Sequence, residues 1–557
     1  ARSAVDTLNL FARIDYLREN AGAARGPIAT VFQIMLPESE TELSTDTVKA
    51  LTDPEIGIFY KEVKPSTIPP TYVLKTEKEL DELIENLPKA VALDEKLTST
   101  TGARAAFEKF YGIKVEDQLF TKDTYRTRIM DIVGSKDNDQ TVPIEWTYTT
   151  PEDFIEHLLV AADLLDKLRA DTTILGFFNY FYNAQIASDP AVVPDERGLK
   201  ALFDIAHEIV AQEVMTFDID RPSSPPIPDP VEEYTITVDT VFARLRNLNA
   251  LREAGAFEII KDVFDLQVDP WADPIEFPTS PILVQVLFSY AEMLIEPYNI
   301  TTIDIDTLDE TKEPAGAPIT VSDILKNLNQ AKSIIDDDAF NGLITDLYGI
   351  PAVYRGDKDN SPRYRAIVSI FSDMIVKQKF YNYDIDTGEL KPEDVDPDDP
   401  PITLASLTTS LEKVKELAGN AELNSAIAEL YEIETSYLNP AKPEDARKYR
   451  SILSGFANMI ATQSYKSVNI DTGVEETIEV QEGEPAITSQ TIIDSLKEAK
   501  KLDDSEEFKT AVADLYGIKT VYRGDADSKI YRSLVASFAN MIATQSYKSV
   551  NIDTGVE

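Results

Sequence analysis

The triplet Asp-Thr-Gly occurs three times, at Asp386, Asp471 and Asp553, each time directly after an isoleucine. A carboxylate on a tight turn is one half of the aspartic-protease dyad. There, two carboxyl groups share one proton because like charges in hydrogen-bond contact cannot both ionise. Spacing argues against that chemistry here. The three triplets recur roughly eighty residues apart, at the same place in an internal repeat. The two preceding copies keep the aspartate and lose the glycine, in Ile-Asp-Ile-Asp-Thr-Leu at Ile303 and Phe-Asp-Ile-Asp-Arg-Pro at Phe217. A dyad needs two turns brought together, whereas a turn after a strand needs only an Asx residue and a glycine. Asp386, Asp471 and Asp553, with Gly388, Gly473 and Gly555, are therefore read as turn residues.

Three other patterns could carry chemistry. Tyr-Arg-Gly-Asp at Tyr354 and Tyr522 contains a triplet that integrins read, in a loop, but it recurs with the repeat. The following carboxylates alternate as calcium-loop ligands do, giving Asp357, Asp359, Asp525 and Asp527 as candidate cation ligands. Both loops lack the full ligand spacing and the trailing bidentate glutamate. The only histidines are His157 and His207; Glu208 follows His207, but no second histidine completes a zinc-protease helix. Phosphate-binding and nucleophile-elbow signatures are missing from the sequence. No catalytic residue, cofactor or assigned metal site is expected.

The elements that position these residues follow from the repeat. Ile-Thr begins three closely related stretches, at Ile319, Ile402 and Ile487, and Asp-Leu-Tyr-Gly-Ile recurs at Asp346 and Asp514. Phe456 to Glu475 is repeated from Phe538 to Glu557. A threonine opens each copy, at Thr76, Thr150, Thr237, Thr320, Thr403 and Thr488, with an apolar residue four positions on. Glu79, Asp153 and Asp323 stand at the capping-box position, so these threonines are expected as helix N-caps. The last copy predicts a first helix over Thr491–Leu502 and a second over Glu506–Tyr516. Gly517 closes the second helix as a C-cap, matched by Gly349 and Gly112. A third helix carries an apolar stripe at Ile530, Leu534, Phe538, Met541 and Ile542. Lys-Ser-Val-Asn-Ile then alternates like a strand, and Val-Glu-Glu-Thr-Ile-Glu-Val reads as its return.

The fold class predicted is mainly α: a tandem array of seven small three-helix modules, each ending in a short strand or hairpin. The modules run 1–66, 67–143, 144–230, 231–314, 315–397, 398–482 and 483–557, the first being the most divergent. A module of this size buries too little apolar surface alone and needs its neighbours. Proline- and acid-rich stretches at Arg221, Glu310 and Lys391 read as extended spacers. Tyr-Arg recurs at Tyr125, Tyr364, Tyr449 and Tyr531, and an acid precedes Leu-Tyr at Asp346, Glu429 and Asp514. Ion pairs within a copy are expected, Asp346 with Arg365 and Asp514 with Arg532. If those charges lie apart, the arginine contacts a neighbour.

Composition bounds the function. The chain has 557 residues, 43% hydrophobic and 27% charged, with net charge −45. Such a charge repels phosphate backbones and disfavours direct nucleic-acid binding. The absence of cysteine excludes disulfides, zinc–thiolate centres and thiol nucleophiles. Neither a signal-peptide run nor an apolar stretch of membrane-spanning length is present.

An acidic, cysteine-free sequence with near-identical tandem copies resembles virion structural proteins of tailed bacteriophages. The resemblance implies a decoration, fibre, neck or tail-associated role in a virion assembled in the host cytoplasm. Other particle subunits would be the partners, joined in part by strand addition. Two alternatives stand beside it: a surface-binding repeat protein with calcium-stiffened loops, and an enzyme with a carboxylate site near His157 and His207.

Overall fold

The computed structural model describes residues 4–32, 60–64, 71–115, 123–134, 150–216, 219–220, 227–230, 235–266, 281–295, 299–314, 318–395, 400–468, 475–480 and 485–544. The described residues are mainly helical, with twenty α-helices and five two-stranded antiparallel sheets. They pack as two compact units. The first gathers Ala1–Thr216, Pro226–Asn249 and Val268–Val284; the second gathers Phe217–Pro225, Ala250–Gln267 and Gln285–Glu557.

In the first unit lie α1 (Ala4–Asn20), α2 (Arg25–Phe32), β1 (Tyr60–Lys64), β2 (Thr71–Leu74), α3 (Glu77–Ser99), α4 (Ala103–Tyr111) and α5 (Asp123–Gly134). There follow α6 (Pro151–Ala170), α7 (Thr172–Phe181), α8 (Glu196–Ala211), β3 (Glu213–Thr216) and β4 (Ile227–Pro230). Helix α3 packs against α1, α2 and α5, and α6 packs against α4 and α8. Helices α9 (Val238–Glu253) and α11 (Pro281–Glu292) are each shared between the two units, while α10 (Ala256–Val263) lies wholly in the second.

The second unit continues with β5 (Asn299–Ile303), β6 (Glu310–Pro314), α12 (Val321–Ile335), α13 (Asp338–Tyr348), α14 (Ser361–Lys377), β7 (Lys379–Tyr383) and β8 (Leu390–Asp394). Its last elements are α15 (Leu404–Ala418), α16 (Ala421–Tyr431), α17 (Pro443–Thr462), β9 (Ser464–Val468), β10 (Glu475–Glu479), α18 (Ser489–Asp503), α19 (Glu506–Tyr516) and α20 (Ser528–Thr544). The same contacts recur along it. The first helix of each sequence copy packs on the third helix of that copy: α12 on α14, α15 on α17, α18 on α20. It also packs on the second helix of the copy before: α12 on α10, α15 on α13, α18 on α16. One continuous apolar cluster, including Leu347, Leu411, Leu430 and Leu496, runs through these contacts.

Local chemistry fixes the helix ends. Thr76, Thr320, Thr403 and Thr488 are N-caps with complete capping boxes, closed by Glu79, Asp323, Ser406 and Thr491 respectively. Each threonine oxygen accepts the third N–H of its helix, which otherwise would lack a partner. Gly349 and Gly517 close α13 and α19 in the left-handed conformation, with φ of +67° and +68°. In α20 the buried row is Tyr531, Leu534, Val535 and Ala539, while Ile542, placed on the apolar stripe by spacing, is 49% exposed.

The strands pair locally. Each described strand pairs with its neighbour in the chain, β5 with β6, β7 with β8 and β9 with β10. The acidic stretches expected as spacers supply the returning strands: Glu310–Pro314 forms β6 and Leu390–Asp394 forms β8. Three of these hairpins lie along the third helix of the next sequence copy: β5 on α14, β7 on α17, β9 on α20. The Ser451 hydroxyl donates to the Tyr383 carbonyl at 2.8 Å across one of these contacts.

Candidate functional site: a recurring arginine–aspartate latch

The hairpin between β7 and β8 turns through Ile385-Asp386-Thr387 and closes on Gly388, whose φ is +77°. The Asp384 carboxylate fixes this turn by accepting the N–H groups of Asp386 and Thr387 at 3.0 and 3.1 Å. Asp386 is thereby left pointing away from its own hairpin. Arg532 on α20 takes it with both nitrogens, Nη1 to Oδ1 at 2.8 Å and Nη2 to Oδ2 at 2.6 Å.

The same geometry occurs twice more. Arg450 on α17 grips Asp306, in the β5–β6 turn, at 3.1 and 2.6 Å. Arg365 on α14 grips Asp220, in the turn after β3, at 3.0 and 2.9 Å. A planar guanidinium matches a carboxylate bidentately, and this pairing is both strong and orienting. Each arginine also donates to a loop carbonyl, that of Tyr354, Tyr437 or Tyr522, at 2.8, 2.6 and 2.7 Å. Each aspartate also accepts a loop N–H, from Gly356, Asn439 or Gly524.

A third participant completes each latch. The aromatic residue at the end of the intervening second helix packs edge-on against the loop tyrosine. Phe264 meets Tyr354, Tyr348 meets Tyr437, and Tyr431 meets Tyr522, with centroids 5.0, 4.8 and 5.2 Å apart. That tyrosine in turn packs edge-on against the tyrosine preceding the latch arginine: Tyr364, Tyr449 or Tyr531. Edge-to-face pairs add to the energy of plain burial. Three successive sequence copies thus meet at one point: a turn, a helix end, and a loop with its third helix.

Burial makes the latch consequential. The aspartate side chains are 6%, 0% and 8% exposed and the arginines 15%, 14% and 14%. Burial by itself would depress the Arg450 and Arg532 guanidiniums. The hydrogen bonds and charges of Asp306 and Asp386 outweigh it and hold both above their ordinary value. Burial raises the surrounding tyrosines as well, Tyr354 up to about 12 and Tyr437 and Tyr522 well above 10. A second cation supports two of the turns, Arg447 at Asp304 and Lys529 at Asp384.

The ion pairs expected within a copy, Asp346 with Arg365 and Asp514 with Arg532, are not formed. Arg365 and Arg532 belong to turns two sequence copies earlier. Asp346 instead faces the next copy, pairing with Lys415 on α15 at 2.5 Å, and the equivalent Asp262 pairs with Lys332 on α12 at 3.5 Å. Lys109, which stands at the acid position in α4, meets Asp166 on α6 at 2.6 Å, so the charges are exchanged rather than lost. The reason is geometric. These acids lie on the second-helix face that the following first helix covers, and the arginines point into the loop.

The remaining candidates are used in the same way. In Tyr-Arg-Gly-Asp, Arg355 donates to the carbonyls of Phe264 and Asp265, and Arg523 to that of Glu432, tying the loop to the preceding second helix. Asp357 accepts the N–H groups of Asp359 and Asn360. Asp525 takes the Lys519 ammonium at 2.7 Å and Asp527 takes the Lys519 N–H at 3.0 Å. Among the described residues no group of three or more acids and histidines could hold a metal ion. His157 and His207 face one another from α6 and α8, Nε2 to Nδ1 at 3.2 Å, with rings stacked 5.4 Å apart. Asp471, Asp553, Gly473 and Gly555 lie outside the described residues.

One recurrent residue was not singled out from sequence. Gln212, Gln378 and Gln463 end α8, α14 and α17 in the left-handed conformation, with φ of +56°, +52° and +52°. Each side-chain amide then clasps the isoleucine that begins the next copy. The N–H groups of Ile236, Ile402 and Ile487 donate to the glutamine oxygens at 2.8 Å, and their carbonyls accept from the glutamine nitrogens at 2.9 to 3.0 Å. The signal was available: a glutamine follows every well-preserved third helix.

No family model, curated protein or solved structure matches the chain. No described helix is long and apolar enough to cross a membrane.

Proposed function

We propose that the chain is a non-enzymatic structural protein of a large assembled particle, a virion component of the kind the bacteriophage resemblance implies. On this reading it is a tandem array of seven three-helix modules, with other structural subunits as partners. The observation that carries the reading is the latch. The carboxylates that could have done chemistry, Asp220, Asp306 and Asp386, are each held by an arginine two sequence copies away.

A catalytic residue is needed once, whereas a joint is needed at every junction, and these residues recur at successive junctions. Contacts that span three copies stiffen a tandem array beyond what nearest-neighbour stacking supplies. Such stiffness suits a part that must span or brace a larger body. The net charge of −45 favours neutral or basic partner surfaces over nucleic acid.

Mass spectrometry of particles purified from the source cells tests the proposal, with gel filtration of the isolated chain alongside. The chain is expected in a fixed ratio to the other particle subunits. Recovery only as free protein outside any particle would overturn it.

A further inference from the structure

Four hairpins share one plan, β3–β4, β5–β6, β7–β8 and β9–β10, each a two-stranded sheet. The returning strand of such a sheet offers its outward N–H and C=O groups to any extended chain, and a proline there withdraws the donor. Three of the four returning strands carry one. In β8 the Val395 N–H donates inward, to the Gln378 carbonyl at 3.0 Å, so alternation turns the backbone of Pro392 outward. In β6 the Asp304 N–H donates to the Asp309 carbonyl at 3.0 Å, which turns Pro314 outward in the same way. In β4, Pro228 lies opposite Met215, the third residue after Gln212, just as Pro392 lies opposite Tyr381, the third after Gln378. The remaining hairpin, β1–β2, breaks register between Glu62 and Lys64, which also spoils an edge.

Strand β10 has neither device. It lies inside the sequence, with α18, α19 and α20 after it. The Val480 N–H donates to the Gln463 carbonyl at 2.9 Å, so Glu475, Thr477 and Glu479 turn their backbone groups outward. Thr477, opposite Lys466, occupies the place of Pro392 and keeps its N–H. Thr477 and Glu479 are exposed, and among the described residues no strand pairs with this edge.

The sequence of the edge selects its occupant. A strand added antiparallel about Thr477 places one residue opposite Glu475 and another, four positions away, opposite Glu479. Opposite charges in such pairs stabilise and like charges destabilise. A second copy of β10 would set Glu475 against Glu479 twice, so the chain is a poor partner for itself here. We infer that β10 accepts an extended segment of another protein, with lysine or arginine at two positions four residues apart and an amide N–H at the residue midway. The inference deepens the assembly reading and rests on it, by giving the chemistry of one partner segment.

Fluorescence anisotropy of a labelled peptide, Lys-Val-Thr-Val-Lys flanked by serines, titrated with the full chain, tests it. Saturable binding is expected. A peptide with proline for its central threonine has the same charge and is expected not to bind. Thr477→Pro gives β10 the residue of β8 and is expected to abolish binding, with circular dichroism checking the fold. Glu479→Lys, at an exposed position, is expected to weaken binding about tenfold and keeps the test decisive if Thr477→Pro does not fold. Absence of saturable binding to the wild type overturns the inference. So does a proline peptide that binds as tightly as its parent, binding that survives Thr477→Pro in a folded chain, or binding unchanged by Glu479→Lys. None of these results bears on whether the chain is recovered in particles, so the two readings fail separately.

Discussion

Arg532 holds both carboxylate oxygens of Asp386, a residue 146 positions earlier in the chain, at 2.8 and 2.6 Å. Between them in sequence lies a complete copy of the repeat, whose Tyr431 lines the same contact through Tyr522. The relationship means that no copy in this region is held by its neighbours alone. A turn is placed by the hairpin it closes, the hairpin lies along the third helix of the next copy, and the turn's carboxylate is received by the copy after that. Removing either charge leaves the other buried with no opposite charge, its bond to the Tyr522 carbonyl or from the Gly524 N–H alone remaining, which is far costlier than losing an exposed ion pair.

The glutamine clasp predicts a local effect. Gln463→Ala removes the acceptor of the Ile487 N–H and the donor to its carbonyl. A loss of about 1–3 kcal/mol is expected at this junction, from leaving backbone groups unsatisfied. Native-state hydrogen exchange at the Ile487 amide reads it. Gln463→Gly relieves the left-handed backbone and still loses the clasp, so exchange there is expected to accelerate as well.

Leu308 predicts the opposite sign. It occupies the turn position held by Gly388 in the next copy, with φ of +66°. A side chain in that conformation costs roughly 1–2 kcal/mol, part of which Leu308→Gly returns against the extra chain entropy of glycine. A gain of up to about 1 kcal/mol is expected in denaturant unfolding. Unchanged or lower stability would show that the half-buried leucine side chain contributes more by packing than its backbone loses.

The histidine pair predicts a pH dependence in the first unit. Burial, then the neighbouring His157, depresses the His207 imidazole below its ordinary 6.5, while Asp153 and Glu213 act in the other direction. The unfolded state therefore binds the proton more readily. The stability tied to this group is fully present above about 6.5 and is lost as the pH falls from there through the depressed value. Thermal unfolding between pH 7 and 5 is expected to show the loss, and His207→Gln to flatten it.

What was legible in the sequence was what is local. The threonine caps, Gly349 and Gly517, and the span of α19 depend on residues within a turn or two of one another, and the same second helix, Glu506–Tyr516, emerges from pattern and structure alike. The partner of Arg532 was not legible in that way, because both Asp514 and Asp386 recur at fixed places and spacing does not rank them. A clue lay in Asp220. It persists where Thr-Gly has become Arg-Pro, so the carboxylate rather than the turn sequence is what the position keeps. Asp-Thr-Gly looked like half of a dyad since a buried aspartate on a tight turn is common to both uses; the atom facing it decides between them.

A double-mutant cycle on Asp386 and Arg532 tests the latch most directly, read by hydrogen exchange of the α20 amides. Asp386→Asn alone and Arg532→Met alone are each expected to cost about 3–5 kcal/mol, as removal of one partner from a buried pair does. The double variant is expected to cost no more than either single one, a coupling at or above roughly 3 kcal/mol, the upper end for contacting residues. Costs that add to within about 0.5 kcal/mol would show that the two residues act independently and would contradict a latch between copies.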